Sequence, residues 1–192
     1  WAVEGELSYN VCKHKPLFFP FTWSDFVLAI ITFLTIALAA PTGTGAPMAT
    51  DAQALTLMQW LSPAYPLGSF AYSHGIEAAV AGGHLRDAGT LRDWIADVLT
   101  HGSGRSDAVL MRLAHAPDAD VAALDAVARA YAPAAERLRE GARQGAAFAR
   151  TTRAVWGIDL PDLMLPVAMG RAARLMSLDI DLAVPMALHA FA

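Results

Sequence analysis

From Met48 to the end of the 192-residue chain, no stretch alternates apolar and polar residues with period two. Apolar spacings of three and four recur instead between proline and glycine breaks. That pattern predicts an all-α, single-domain helical bundle. Asp51 can cap a helix running through Leu61, with Leu55, Met58 and Leu61 on one broad face and Pro63 ending it. Residues 62–69 hold two prolines and a glycine and read as a loop. Ser69 then offers a cap for a helix through Ala81, closed by Gly82 and Gly83.

Thr90-x-x-Asp93 resembles a capping box for the next helix, with Leu91, Trp94, Ile95, Val98 and Leu99 on one face and Gly102 and Gly104 as the stop. A shorter helix follows from about Ser106 to His115, with Val109, Leu110 and Leu113 inward. Asp118 or Asp120 opens another, with Val121, Leu124, Val127 and Tyr131 inward, as far as Pro133. The longest helix, Ala134 to Val155, carries Gly141 and Gly145. Each glycine inside a helix costs about 1 kcal/mol relative to Ala, so close packing is expected there. Pro161 lies in a loop, and Pro166 falls in the first turn of a helix to about Met176. A last helix begins between Asp181 and Pro185. Its apolar positions Val184, Met186, Leu188 and Phe191 run to the end without a stop signal, so a C-terminal truncation is expected.

Composition changes near residue 48. Both lysines, Lys13 and Lys15, and five of eight Phe lie before it, while the 12 arginines all lie after it, and 34 of the 145 residues from Met48 onward are Ala. Residues 1–47 are therefore read as foreign to the helical domain of residues 48–192, either upstream read-through or a fused fragment. The competing reading is a targeting segment, with Lys13 and Lys15 before the apolar run Phe26–Ala40 and small residues after it. That run is 15 residues long, short of the roughly 20 that a membrane-spanning helix needs. Residues 17–40 reach that length only by including Pro20 and Asp25. The expected location is the cytoplasm, with export or membrane anchoring as the alternative if residues 1–40 are a genuine signal.

A net charge of −4 without a Lys/Arg run disfavours a nucleic-acid partner, and none is expected. The single cysteine, Cys12, excludes an intrachain disulfide or cysteine metal cage. Six histidines form no H-x-H or H-x-x-x-H pair. His74 and Glu77, three apart, offer at most two metal ligands, too few for a tight site but enough for a transient nickel contact. No G-x-x-x-x-G-K-[ST] loop for a nucleotide is present. Ala71-Tyr72-Ser73-His74-Gly75 is close to a hydrolase nucleophile elbow, and acidic residues and His189 follow in the right order. The elbow requires a buried strand before it, and Pro63 through Gly68 cannot supply one.

The stretch from Leu55 through Leu61, Ser62-Pro63-Ala64-Tyr65-Pro66-Leu67-Gly68-Ser69-Phe70 and Ala71-Tyr72-Ser73-His74-Gly75-Ile76-Glu77 resembles the N-terminal signature of the UreF family of urease accessory proteins. Ala71 stands where Ser is usual in the family, and His74 where Gln is usual. Leu91-Arg92-Asp93-Trp94, Gln144-Gly145-Ala146-Ala147-Phe148 and Leu165-Pro166-Val167-Ala168-Met169-Gly170 extend the likeness in order. The resemblance implies an all-α homodimer without catalytic residues or a stably bound cofactor. It also implies binding to UreD (also called UreH), to the GTPase UreG and to apo-urease, with help in nickel insertion and modulation of GTP hydrolysis. The resemblance points to Pro66, Gly68, Ser69, Phe70, Tyr72, Ser73, His74, Gly75 and Glu77 as the partner-binding surface. Read from the residues, Ser73 and Glu77 are four apart and share a helix face. The remaining alternative is a helical interaction protein with no role in nickel delivery.

Overall fold

The computed structural model describes residues 51–68 and 75–191. Among them the chain is helical: α1 (Asp51–Trp60), α2 (Ile76–Ala81), α3 (Ala88–Thr100), α4 (Ser103–His115), α5 (Val121–Ala130), α6 (Ala135–Trp156), α7 (Leu165–Leu175) and α8 (Ile180–Phe191). The proposed junction at Met48 and the apolar run Phe26–Ala40 lie outside the described residues.

Helix α7 is the hub. Pro166, Val167, Ala168, Met169, Gly170, Ala172 and Ala173 are all buried, and α4 and α6 make the most extensive contacts with it. Small residues permit this. A Cβ on Gly170 would strike the backbone of Met111 on α4, and one on Gly145 of α6 would strike the Leu163 carbonyl and lie 2.7 Å from the Leu165 nitrogen. The packing reason expected for a glycine inside the long helix is thus met at Gly145.

Around this hub, four aromatic rings join α1 and the following loop to α6. Trp60 meets Phe148 edge-on at 5.0 Å between centroids and Trp156 at 6.1 Å. Tyr65 lies 5.8 Å from Phe148 and 6.4 Å from Trp156. Aromatic edge-to-face pairs add about 0.5–1.5 kcal/mol beyond the area they bury, so the loop after α1 is fixed at its base.

Several helix faces differ from expectation. On α1 the inward residues are Leu57 and Trp60, while Leu55 and Met58 are 64% and 60% exposed. Apolar and polar positions are interspersed round this helix, so spacing alone does not pick out the side on which Leu57 and Trp60 are buried. On α4, Gly104, Leu110, Met111 and Ala114 are buried, whereas Val109 and Leu113 are half exposed. The side of α4 that carries Met111 is the one that approaches Gly170 of α7. On α5, Ala128 is buried and Val121 and Leu124 pack on the core, but Val127 and Tyr131 face outward.

Boundaries shift for local reasons. The capping box of α3 is Asp87 with Thr90, not Thr90 with Asp93: Asp87 Oδ1 accepts from Thr90 N at 2.8 Å and Thr90 Oγ1 accepts from Asp87 N at 3.1 Å. Gly102 is the N-cap of α4, so Gly104 lies inside that helix. Helix α8 starts at Ile180, with Asp179 Oδ1 accepting from Asp181 N at 2.8 Å, so Pro185 falls inside it. Asp120 caps α5 through Ala123 N at 3.0 Å.

Candidate partner-docking site

The loop after α1 is built by two successive tight turns. Tyr65 N donates to Ser62 O at 2.9 Å, and Leu67 N donates to Tyr65 O at 2.7 Å. The second closes around Pro66, whose ring presets the φ such a turn requires. Tyr65, in the middle, is buried. Its hydroxyl lies 2.8 Å from Thr152 Oγ1, which itself donates to Phe148 O at 2.7 Å. With the threonine proton so committed, the tyrosine is the donor of the pair. Burial pushes the Tyr65 phenol above its ordinary pKa, more strongly than the Thr152 hydrogen bond lowers it. The phenol is therefore a neutral, fixed peg, and Pro66 and Gly68 stand exposed on the outer side of the turn it holds.

The far side of the candidate segment begins at Gly75. Its φ of +84° is left-handed, and it is the N-cap of α2, with its carbonyl accepting from Ala79 N at 2.9 Å. A left-handed residue cannot sit inside a right-handed helix. The expected helix from Ser69 to Ala81 is therefore interrupted, and the segment ending at Ala81 starts at Ile76. The spacing expected to put Ser73 and His74 on one face with Glu77 involves residues outside the described ones. Glu77 is exposed on the first turn of α2. Ser69, Phe70, Tyr72, Ser73 and His74 lie outside the described residues. Among the described residues no group of three or more His, Cys, Asp or Glu is placed to hold a metal ion.

Below the loop, Leu61, Ser62, Pro63 and Leu67 form part of the wall of a cavity of about 210 Å³. Its polar floor is a partly buried charge cluster that the sequence did not reveal. Arg137 Nη2 meets Asp107 Oδ2 at 2.6 Å and Arg137 Nη1 meets Glu140 Oε1 at 3.1 Å. Gln144 Nε2 donates to the same Glu140 oxygen at 3.3 Å. Two carboxylates share one guanidinium. Burial and the neighbouring Glu140 outweigh Arg137, so the Asp107 carboxyl is raised to about 6. Asp107 and Arg137 also face a second cavity of about 260 Å³ on the α5 side. Only the spacing of three between Arg137 and Glu140 could have hinted at the cluster, since Asp107 is brought in from another helix.

Comparison with known proteins yields one consistent result. The UreF family model matches residues 85–192. A urease accessory protein UreF from Roseobacter denitrificans is 51% identical over 146 residues, covering 76% of this chain and 65% of the relative. One from Cereibacter sphaeroides is 56% identical over 143 residues, covering 74% and 67%. One from Ruegeria pomeroyi is 45% identical over 144 residues, covering 74% and 66%. The matched region thus spans about two-thirds of the length of these curated relatives.

Proposed function

Because the chain belongs to the UreF family of urease accessory proteins, we propose that it is a non-catalytic scaffold that brings UreD (UreH) and the GTPase UreG to apo-urease. There it helps insert nickel and modulates GTP hydrolysis by UreG. In this reading the chain works as a cytoplasmic homodimer. Nickel is cargo of the assembly, with His74 and Glu77 as transient contacts. The sequence carries no phosphate-binding glycine loop, in keeping with GTP being handled by a partner. No helix among the described residues is long and apolar enough to cross a membrane.

The observation that carries the docking role is the pegged loop. Burying Tyr65 against Phe148, Trp156 and Thr152 removes the freedom that an exposed loop would lose on binding. It leaves Pro66 and Gly68 presented at one end of the candidate segment, with Gly75 and Glu77 at the other. The partner-binding surface we propose is Pro66, Gly68, Ser69, Phe70, Tyr72, Ser73, His74, Gly75 and Glu77.

The test is co-purification of this chain with UreD and UreG. Retention of both is expected, and so is weakened retention by Glu77→Ala with an unchanged helical circular dichroism spectrum. A chain that retains neither partner would instead be a helical interaction protein outside nickel delivery. Ester turnover abolished by Ser73→Ala would put a hydrolase in place of the scaffold.

A further inference from the structure

Helix α6 buries one side completely. Glu140, Gly141, Gln144, Gly145, Phe148, Ala149 and Thr152 face the core. At 100° per residue, Arg139, Arg143 and Arg150 fall within about 40° of one another on the opposite side. All three are exposed. Arg139 is paired at 2.8 Å with Glu136, itself exposed. Arg143 and Arg150 meet no carboxylate among the described residues. On the outward side between Arg143 and Arg150 come Ala146 and Ala147, since Gln144, Gly145, Phe148 and Ala149 face the core, so no bulky side chain there keeps a neighbour away.

This concentration of positive charge runs against the character of the whole chain, whose net charge is −4. The other arginines on α6 are engaged: Arg137 with Asp107 and Glu140, and Arg153 with Asp162 and the Leu160 carbonyl. On the outward face Arg143 and Arg150, about 10 Å apart along the helix at 1.5 Å per residue, have no carboxylate partner among the described residues.

We propose that the outer face of α6 is a second docking surface, for an acidic helix of a protein partner in the urease maturation assembly. This rests on the accessory role proposed above. A partner helix carrying carboxylates about four and seven residues apart would match Arg139, Arg143 and Arg150. Arg143 and Arg150 would form charge-assisted hydrogen bonds that no described residue of the chain supplies. The alanines between them would let the two helix backbones approach. Such a surface acts mainly on encounter rate and orientation, and its contribution falls with salt.

The test uses the full chain with purified UreD, UreG and apo-urease, each measured separately for binding at low and high salt. The double variant Arg143→Glu/Arg150→Glu is compared with Arg174→Glu, an exposed arginine on α7, as the charge control. Roughly tenfold weaker binding of at least one partner by the double variant, with the control near wild type and the helical spectrum unchanged, is expected. The single reversal Arg143→Glu should give a smaller loss of the same binding and guards against misfolding of the double variant. Wild-type binding that neither reversal alters overturns the α6 surface and leaves the accessory role standing. A wild-type chain that binds none of the three overturns the accessory role, and this surface with it. Salt-sensitive self-association, or binding of duplex DNA, lost in the double variant in place of partner binding also overturns the proposal.

Discussion

Single side chains far from the surface set the geometry of the exposed loop. Tyr65 contributes ring packing and one buried hydrogen bond, and these separate by mutation. Tyr65→Phe keeps the contacts with Phe148 and Trp156 and leaves the Thr152 hydroxyl bonded to Phe148 O. It should lower unfolding free energy by about 1 kcal/mol, whereas Tyr65→Ala should cost about 3–5 kcal/mol, both read from urea denaturation. Asp107 behaves in the opposite sense from a surface carboxylate. Its folded pKa of about 6 lies above the unfolded value of 3.8, so the fold favours its protonated form. The stability this group contributes is fully present below the unfolded pKa and is lost as pH rises through 6. The shift of about two units corresponds to at most about 3 kcal/mol. Asp107→Asn imitates the protonated group, and Arg137 still keeps Glu140 at 3.1 Å. Urea midpoints measured at pH 4 and pH 7 should therefore change less in its favour on acidification than those of wild type. An identical pH response in the two proteins would show that this carboxyl is not raised.

Helices α4, α6 and α7 are held at distances that only glycine permits at two crossings. Gly145→Ala and Gly170→Ala place a methyl against the backbone of Leu163 and Met111, respectively, and backbone cannot move aside. Each should cost several kcal/mol or prevent folding, at or beyond the roughly 1–3 kcal/mol usual for overpacking. Gly141→Ala meets only the flexible end of Met164, at 2.6 Å from Cε. Its helix-propensity gain of about 1 kcal/mol offsets part of that crowding, so its melting temperature should stay within a few degrees of wild type. The same helices show what local sequence can and cannot reveal. Pro63, Gly82 with Gly83, Pro117 and Pro133 mark breaks legibly, because each acts on its own backbone. The inward faces of α1 and α4 were not legible: Leu55 and Leu57, or Leu113 and Ala114, are distinguished only by the neighbouring helices. The start of α7 was legible from Pro166 in its first turn, but its tether was not, since Met164 N donates to Asp125 Oδ1 at 2.6 Å from α5, 39 residues away. At the candidate site, the loop and the exposure of Glu77 could be read from sequence. The tether of Tyr65 to Thr152 spans 87 residues and could not.

At the scale of the molecule, a buried small-residue hub carries an aromatic clamp, and the clamp fixes a loop that borders the candidate docking segment. This arrangement suits work done by contact. It places the cost of disruption at the surface in the assembly and leaves the fold unaffected. Membership in the UreF family supplies the assembly in question. The most direct measurement is urease activation in cells whose own copy of the accessory gene is deleted, restored with wild type, Glu77→Ala or Tyr72→Ala. Activity well below wild type in both variants is predicted, with their abundance and helical spectra preserved. Full activation by both would contradict the account, because the segment bordered by Gly68 and Gly75 would then not be a working surface.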